Sequence, residues 1–408
     1  MWVETQIHRF LRMYQQNIPG RLNGGALAID PYFMTMKLFD VYPLFNITPV
    51  KAQGSWLWDD KGDKFLDLYG GHAVISIGHS HPHYVKALED QLGKISFYSN
   101  SVVNPLQQKL AEKLGVMSGY PDYQLFLCNS GAEANENALK LASFVTGKKK
   151  IIAFKKAFHG RTSGAVAATD NPKIVSPFNA GHDIEFLPLN DVNAFTDALT
   201  SDVAAVIVEG IQGVGGIQLP DDSFLQLIER KCREMNVMFI LDEIQCGYGR
   251  TGKFFAHQHA DIRPHLITTA KGMGNGFPVG GVLIHPDIKP WSGMLGTTFG
   301  GNYLAMAACL AVLEVMEKEN LIANAAAMGN YLINALKGIS EIKQVRGRGL
   351  MIGFDLGEDK SKVRNDLLFG HRIFTGEAKP NTIRLLPSLA LSQNEVDIFL
   401  SALNKALR

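Results

Sequence analysis

The stretch Val-Met-Phe-Ile-Leu-Asp-Glu-Ile-Gln, residues 237–245, sets the fold class. Five apolar residues in a row fit a strand buried on both faces, which is the habit of a parallel sheet covered by helices on each side. The run ends in two acids, Asp242 and Glu243. A carboxylate at the C-terminal end of such a strand lies at the usual ligand crevice of an open α/β sheet. A structural acid capping the next turn has the same look, so DEIQ alone does not decide function.

Working outward, the same grammar repeats. DSFLQLIERKCREMN reads as an amphipathic helix leading into 237–245, and VAAVIVEGI (203–211) as the strand before that helix. YQLFLC (123–128) and KKIIAFKKA read as strands on either side of AEANENALKLASFVTG (132–147), a helix that Gly147 closes. PLQQKLAEKLGVM (105–117) is helical with Pro at its start. LITTAK (266–271), PVGGVLIH (278–285) and a helix over 302–318 follow. Strands alternating with helices give an α/β fold with a largely parallel central sheet and helices on both faces.

The ends differ from this middle. WLWDDKGDKFLDLYG, from about 55, reads as a hairpin turning at Asp-Lys-Gly. From about 320 a long helix, strands near 343–356 and 381–386 and a final helix suit a smaller α+β unit. The expected division is a leader or poorly ordered segment over 1–35 (Met36 being an alternative start), the N-terminal part of a small domain over 36–84, a large α/β domain over 85–318, and the rest of the small domain over 319–408.

Bulk properties narrow the function classes. With 408 residues, 46% of them hydrophobic and 19% charged, the chain reads as an ordinary globular protein of two or three packed units. A net charge of +1 points to neither nucleic acid nor an anionic membrane as partner. Cys128, Cys232, Cys246 and Cys309 form no C-x-x-C pair and read as reduced thiols of a cytoplasmic protein.

Several segments are chemically suggestive. Lys271 ends an apolar segment and precedes Gly-Met-Gly-Asn-Gly, where the backbone can come close to a ligand. A lysine buried there is a candidate for a depressed pKa and for imine formation. NSGAEANE (129–136) opens a helix, so free N–H groups, a dipole end and the Ser130 hydroxyl converge on one point, a natural phosphate site that also resembles an ordinary N-cap. FHGRT (158–162) offers an aromatic face, an imidazole and a guanidinium, and LGTTFGGN (295–302) offers hydroxyls among glycines.

Rival motifs are weaker. GYGRTGKF (247–254) has phosphate-loop spacing but Phe254 stands where Ser or Thr would hold magnesium. The Gly272, Gly274, Gly276 spacing is not the dinucleotide fingerprint. His79, His81 and His83 surround a proline turn with no acid or thiol beside them in sequence, so packing roles are expected there, as for His257 and His259. No metal site is expected.

NSGAEANE, FHGRT, LDEIQCGYGRTGKFFA, AKGMGNGFPVG and TTFGGN, in this order, resemble the class-III (subgroup II) pyridoxal-phosphate-dependent aminotransferases, especially their acetylornithine/succinylornithine branch. The resemblance runs from about 40 to the C-terminus. It implies a fold-type-I homodimer with pyridoxal 5'-phosphate at the subunit interface. Lys271 matches the lysine that carries the cofactor and serves as base for the proton shift, and Asp242 the acid that keeps the ring nitrogen protonated. Gln245 matches the residue near the ring's phenolic oxygen, and Phe158 the ring that stacks on the cofactor. Ser130, Gly131 and Ala132 match the phosphate holders, and Thr298 the residue that reaches the neighbouring subunit's phosphate.

Thr297 falls where relatives contact substrate. Arg161 resembles the arginine for the carboxylate distal to the reacting amine, and Arg384, in IRLLPSL, the one for a carboxylate next to the reacting carbon. The implied reaction passes the terminal amine of an N2-acylornithine to 2-oxoglutarate, giving the semialdehyde and glutamate, as in arginine biosynthesis. Ornithine or 4-aminobutyrate transamination is the alternative, with an aminomutase or a non-catalytic binding protein further off. Three positions depart from the family pattern, the first being Gly210 where relatives carry a proline. Relatives usually read E-P-I-Q-G-E-G-G where this chain has EGIQGVGG (209–216), so Val214 replaces a glutamate that pairs with the Arg384 equivalent. His72 stands where relatives carry an apolar or aromatic residue; it is either a packing histidine or a contact to the acyl group.

Overall fold

A computed structural model of the chain describes residues 38–357 and 360–408. The leader expected over 1–35 lies outside the described residues. Ile47–Arg408 form one compact unit, and all that follows concerns it.

The early hairpin is present as β1 (Pro49–Gln53), β2 (Trp56–Asp59) and β3 (Lys64–Asp67). Its tip is held by Asp59, whose Oδ1 accepts the N–H groups of Lys61 and Asp63 at 3.0 and 2.8 Å. The large sheet is built from β4 (Gln124–Cys128), β5 (Lys150–Phe154), β6 (Ile184–Leu187), β7 (Val203–Glu209), β8 (Met238–Asp242), β9 (Leu266–Thr269) and β10 (Gly280–Ile284). The C-terminal part adds β11 (Gln344–Arg348), β12 (Met351–Asp355), β13 (Ile373–Phe374), β14 (Gly376–Ala378) and β15 (Thr382–Leu385). Strands β11, β12, β15 and β14 form one sheet in that order, while β13 pairs in parallel with β3 and so joins the early hairpin.

The order in the large sheet is β4-β10-β9-β8-β7-β5-β6. Strands β6, β5, β7, β8 and β9 are mutually parallel, and β10 runs against both β9 and β4. The sheet is therefore largely parallel with one reversed strand. The reason is local: a parallel crossover needs a dozen or more residues, usually with a helix, and between β9 and β10 lie only residues 270–279, whose one helical turn is Lys271–Met273.

Alternate residues of the strands enter two different cores. Ala205, Ile207 and Ile240 pack with Ala134, Ala138 and Leu141 of the helix Gly131–Thr146. Val206, Val208, Phe239 and Leu241 pack with Phe224, Leu225 and Ile228 of the helix Asp222–Met235. Both faces are covered, which is why every residue of β7 and β8 is buried and why these strands read as unbroken apolar runs. The helix ends follow the sequence signals. Ser130 caps one helix by accepting the N–H of Glu133 at 3.2 Å, and Gly147 closes it with φ +68°. The edge strand β6 has no counterpart in the sequence reading, because four half-buried residues carry too short a pattern. No helix among the described residues is long and apolar enough to cross a membrane.

Candidate active site

Four parallel or near-parallel elements bring their ends to one place. Asp242 ends β8, Glu209 ends β7, Lys271 follows β9 by two residues and Ser130 follows β4 by two. Between them lies a cavity of about 380 Å³, at the carboxyl ends of the strands where an open α/β sheet places its ligands. Ser130, Gly131, Ala132, Phe158, Arg161, Asp242, Gln245 and Lys271 all line it. Residues more than a hundred positions apart thus share one wall.

Asp242 is 3% exposed. Its Oδ2 accepts the Asn135 Nδ2 at 2.7 Å and faces His159 Nδ1 at 2.8 Å, while among the described residues Oδ1 accepts only the N–H of Ile244 at 3.0 Å. Asn135 is held in turn by Thr268, whose hydroxyl donates to its Oδ1 at 2.8 Å. This bracing fixes the carboxylate and leaves Oδ1 with spare accepting capacity. Its neighbour Glu243 faces the other way. It accepts from the N–H groups of Ala256 and His257 at 2.9 Å each and meets His257 Nδ1 at 2.7 Å. The two acids of DEIQ therefore divide into one at the cavity and one holding the loop behind it.

Lys271 adopts φ +43°, a left-handed conformation that a non-glycine residue takes only when its surroundings impose it. Burial pushes its pKa down, against the opposing pull of Asp242 and Glu209. Among the described residues its amine has no hydrogen-bond or ion-pair partner. On the opposite side, the cap at Ser130 engages Glu133 and leaves the N–H groups of Gly131 and Ala132 directed away from the helix ladder. A Cβ on Gly131 would lie 2.8 Å from Ile244, so only glycine keeps this cradle open. The buried Oε1 of Gln245 has no partner among the described residues, while its Nε2 donates to the His72 carbonyl at 3.0 Å. A braced acid, an amine, a flat aromatic wall and a row of N–H groups fit a planar cofactor with a protonated ring nitrogen, a reactive carbonyl and a phosphate.

The family is decided by sequence similarity over the whole unit: the class-III aminotransferase family matches residues 40–407. The chain belongs to the class-III aminotransferases. It is similar to the acetylornithine aminotransferases of Methanopyrus kandleri, 38% identical over 93% of this chain and 98% of that one, and of Bacillus subtilis, 40% identical over 91% and 97%. Among solved structures it matches the ornithine aminotransferase from Toxoplasma gondii with a TM-score of 0.83 and 28% identity, covering 89% of this chain and 91% of that one. A transaminase from the marine bacterium Virgibacillus gives a TM-score of 0.84 at 25% identity, covering 89% and 93%. The protein is a pyridoxal-phosphate-dependent aminotransferase of fold type I.

Four residues expected at the site of this aminotransferase lie outside the cavity lining. Thr298 is exposed. Thr297 sits beside the phosphate-side loop, its Oγ1 accepting Asn129 Nδ2 at 3.2 Å and the Gly300 N–H at 3.1 Å. Arg384 on β15 is 4% exposed and is engaged by neutral oxygens: Nε donates to the Glu377 carbonyl at 2.9 Å, Nη1 to the Gly213 carbonyl at 3.0 Å and Nη2 to the Tyr69 hydroxyl at 3.1 Å. Burial lowers its pKa. The glutamate that Val214 replaces thus has no charged substitute in contact with this arginine; two carbonyls and a phenol take its place. Val214 itself lines the cavity one residue from Gly213.

His72 lies in a left-handed run, with φ of +55°, +55°, +69° and +64° over Gly70, Gly71, His72 and Ala73. Its Nδ1 is 2.5 Å from the Tyr69 hydroxyl. Burial raises the Tyr69 pKa, so the phenol is neutral. The Tyr69 hydroxyl thus links His72 Nδ1 to Arg384, whose Nη2 donates to it. Partial burial, Arg384 and Lys271 together pull the His72 pKa down.

Tyr69 and Glu209 were absent from the sequence reading for different reasons. Tyr69 has its arginine partner 315 positions away, and nothing local marks it. Glu209 ends VAAVIVE just as Asp242 ends VMFILD, so the signal was present in the sequence. His79, His81 and His83 each meet a carboxylate from elsewhere, Asp67, Glu319 and Glu314 at 2.9, 2.9 and 2.6 Å. These acids come together with the histidines only in the fold.

Proposed function

We propose that this aminotransferase moves the terminal amine of an N2-acylornithine to 2-oxoglutarate, giving the semialdehyde and glutamate, a step that suits arginine biosynthesis. The observation that carries the reading is the placement of two guanidinium groups, Arg161 on the cavity wall and Arg384 behind Gly213. The ornithine part of an acylornithine has one carboxylate, far from the amine that reacts, and Arg161 on the cavity wall is read as its partner. 2-Oxoglutarate has a second carboxylate beside the reacting carbon. Arg384 has five N–H donors, three of them engaged, so two remain for one carboxylate. The named relatives support the acylated donor.

Pyridoxal phosphate, when bound, supplies a carbonyl that exchanges for an amine and a ring that withdraws electrons from the adjacent carbon. The residues of this chain do the rest. The N–H groups of Gly131 and Ala132 with the Ser130 hydroxyl would hold the phosphate, and Phe158 would cover the ring. Asp242, braced at Oδ2 by Asn135 and His159, would keep the ring nitrogen protonated. Gln245 would serve the phenolic oxygen. Lys271 would hold the cofactor through its amine and would move a proton at Nζ; a pKa lowered by burial leaves that amine able to accept one. Thr297 and His72 face the substrate side, and Thr298 reaches the phosphate of a partner subunit in a homodimer. The domain division at 84/85 and 318/319 and a cytoplasmic location belong to the same proposal.

A panel of amine donors against 2-oxoglutarate tests it. Acetylornithine and succinylornithine are expected to exceed ornithine and 4-aminobutyrate in kcat/KM by about tenfold or more, roughly the worth of one good polar contact. Preference for ornithine or 4-aminobutyrate would reject the acylated donor while leaving transamination in place.

A further inference from the structure

Glu209 ends β7 directly beside Asp242, its register partner on β8. It is 5% exposed and lines the cavity, yet none of the roles above uses it. Its two oxygens hold two different peptides. Oε1 accepts the N–H of Phe158 at 3.0 Å, and Oε2 accepts the N–H of Gly213 at 3.0 Å. Phe158 bears the aromatic wall of the cavity. The carbonyl of Gly213 receives Nη1 of Arg384 at 3.0 Å. Gly213 has no freedom on its remaining side, because a Cβ there would overlap the Gln245 side chain.

We propose that Glu209 is a positioning residue that acts through Gly213 to aim Arg384 at the substrate carboxylate while it fixes the Phe158 wall on the other side of the same cavity. The proposal rests on Arg384 being the carboxylate-binding arginine. A carboxylate suits the task because, when ionised, it accepts on both oxygens, and hydrogen bonds to a charged acceptor are roughly twice as strong as neutral ones. A protonated carboxyl or an amide keeps only one good acceptor, so one buried N–H loses its partner.

The charged groups around Glu209 come from every neighbouring element: Asp242 on β8, His159 after β5, Lys271 after β9 and Arg384 on β15. Burial, followed by the opposing influence of His159 and the added push of Asp242, brings the Glu209 pKa up to about 7. Above that value the carboxylate holds both peptides. Below it a proton occupies one oxygen, and either the Phe158 or the Gly213 peptide is released. Substrate carboxylate binding should therefore weaken as pH falls.

The test is the binding of glutarate to the pyridoxal-phosphate holoenzyme, followed by calorimetry from about pH 8 to pH 6, a range in which glutarate's own carboxyls remain ionised. Glutarate has both carboxylates of the oxo acid but no carbonyl, so binding is read without turnover. The wild-type Kd is expected to rise about tenfold across that range, as one titrating group near its middle permits. Glu209→Gln should bind about tenfold more weakly at the upper end and lose the pH dependence. Glu209→Asp, which keeps the charge but reaches less far, should bind weakly and keep the pH dependence.

Arg384→Lys is measured alongside. If it weakens glutarate and Glu209→Gln does not, the positioning role is overturned while the role of Arg384 stands. If Arg384→Lys leaves Kd unchanged, the reading of Arg384 fails and takes the proposal with it. A wild-type Kd that is flat with pH also overturns it, and that measurement needs no variant to fold.

Discussion

Among the described residues the hydrogen-bond partners of the buried Arg384 are all neutral, and this sets what it can recognise. A guanidinium out of water with carbonyl and phenol partners gains a directly bonded counter-charge from an incoming carboxylate. Placing a carboxylate at the neighbouring cavity position tests this. Val214→Glu would compete with substrate for the two free N–H groups, so KM for 2-oxoglutarate should rise by about five- to tenfold, the worth of one partly solvated ion pair. Rates with acylornithine, ornithine and glutamate should shift relative to each other without loss of transamination. Unchanged relative rates and an unchanged KM would show that position 214 has no access to Arg384. At this scale the sequence was informative where a residue ends an apolar strand, as with Asp242, Glu209 and Lys271. The strand pattern alone does not separate Asp242 from Glu243; the family resemblance picks Asp242, and in the fold the loop at 256–257 engages Glu243.

The elements explain why the site has room. The helix Gly131–Thr146 starts where the Phe158–Arg161 loop passes it, and Gly160 is the point of contact. Gly160 has φ +136°, and a Cβ there would lie 2.7 Å from that of Ala132. Gly160→Ala should destabilise the folded protein by about 1–3 kcal/mol through overpacking and backbone strain. Because the displaced neighbour is Ala132 at the phosphate side, the affinity for pyridoxal phosphate should fall as well. Denaturant unfolding and a cofactor titration check the two effects, and a normal affinity with full stability would mean that the loop absorbs the methyl. Element identity was largely legible: strands buried on both faces, a serine cap, and glycines closing the helices all announce themselves locally. The reversed direction of β10 and the pairing of β13 with β3 were not, since both depend on connections and partners outside any local window.

At the scale of the whole molecule, an apolar surface lies beside the site. Phe299 and Phe97 are 60% and 40% exposed with ring centroids 5.3 Å apart, and Val103 is 87% exposed. Thr298 stands next to Phe299, so a second subunit seated on this face would receive it. If the proposed homodimer uses this face, Phe299→Asp should convert it to monomer in sedimentation and weaken pyridoxal-phosphate binding at the same time, because a charge buried in an apolar contact is costly. A variant that remains dimeric with full cofactor affinity would place the interface elsewhere.

Sequence by itself determined the α/β class, the family and eight of the residues that line the cavity, Ser130, Gly131, Ala132, Phe158, Arg161, Asp242, Gln245 and Lys271, because burial periodicity, helix caps and strand-end residues are written in short windows. Tertiary structure alone decided the arrangement around Arg384. Tyr69, Gly213 and Glu377 reach it from three separate parts of the chain, and hydrogen bonds across such separations are set by packing, on which no local pattern bears. The substrate shell is built from these long-range contacts, whereas the cofactor shell is built mainly from strand ends.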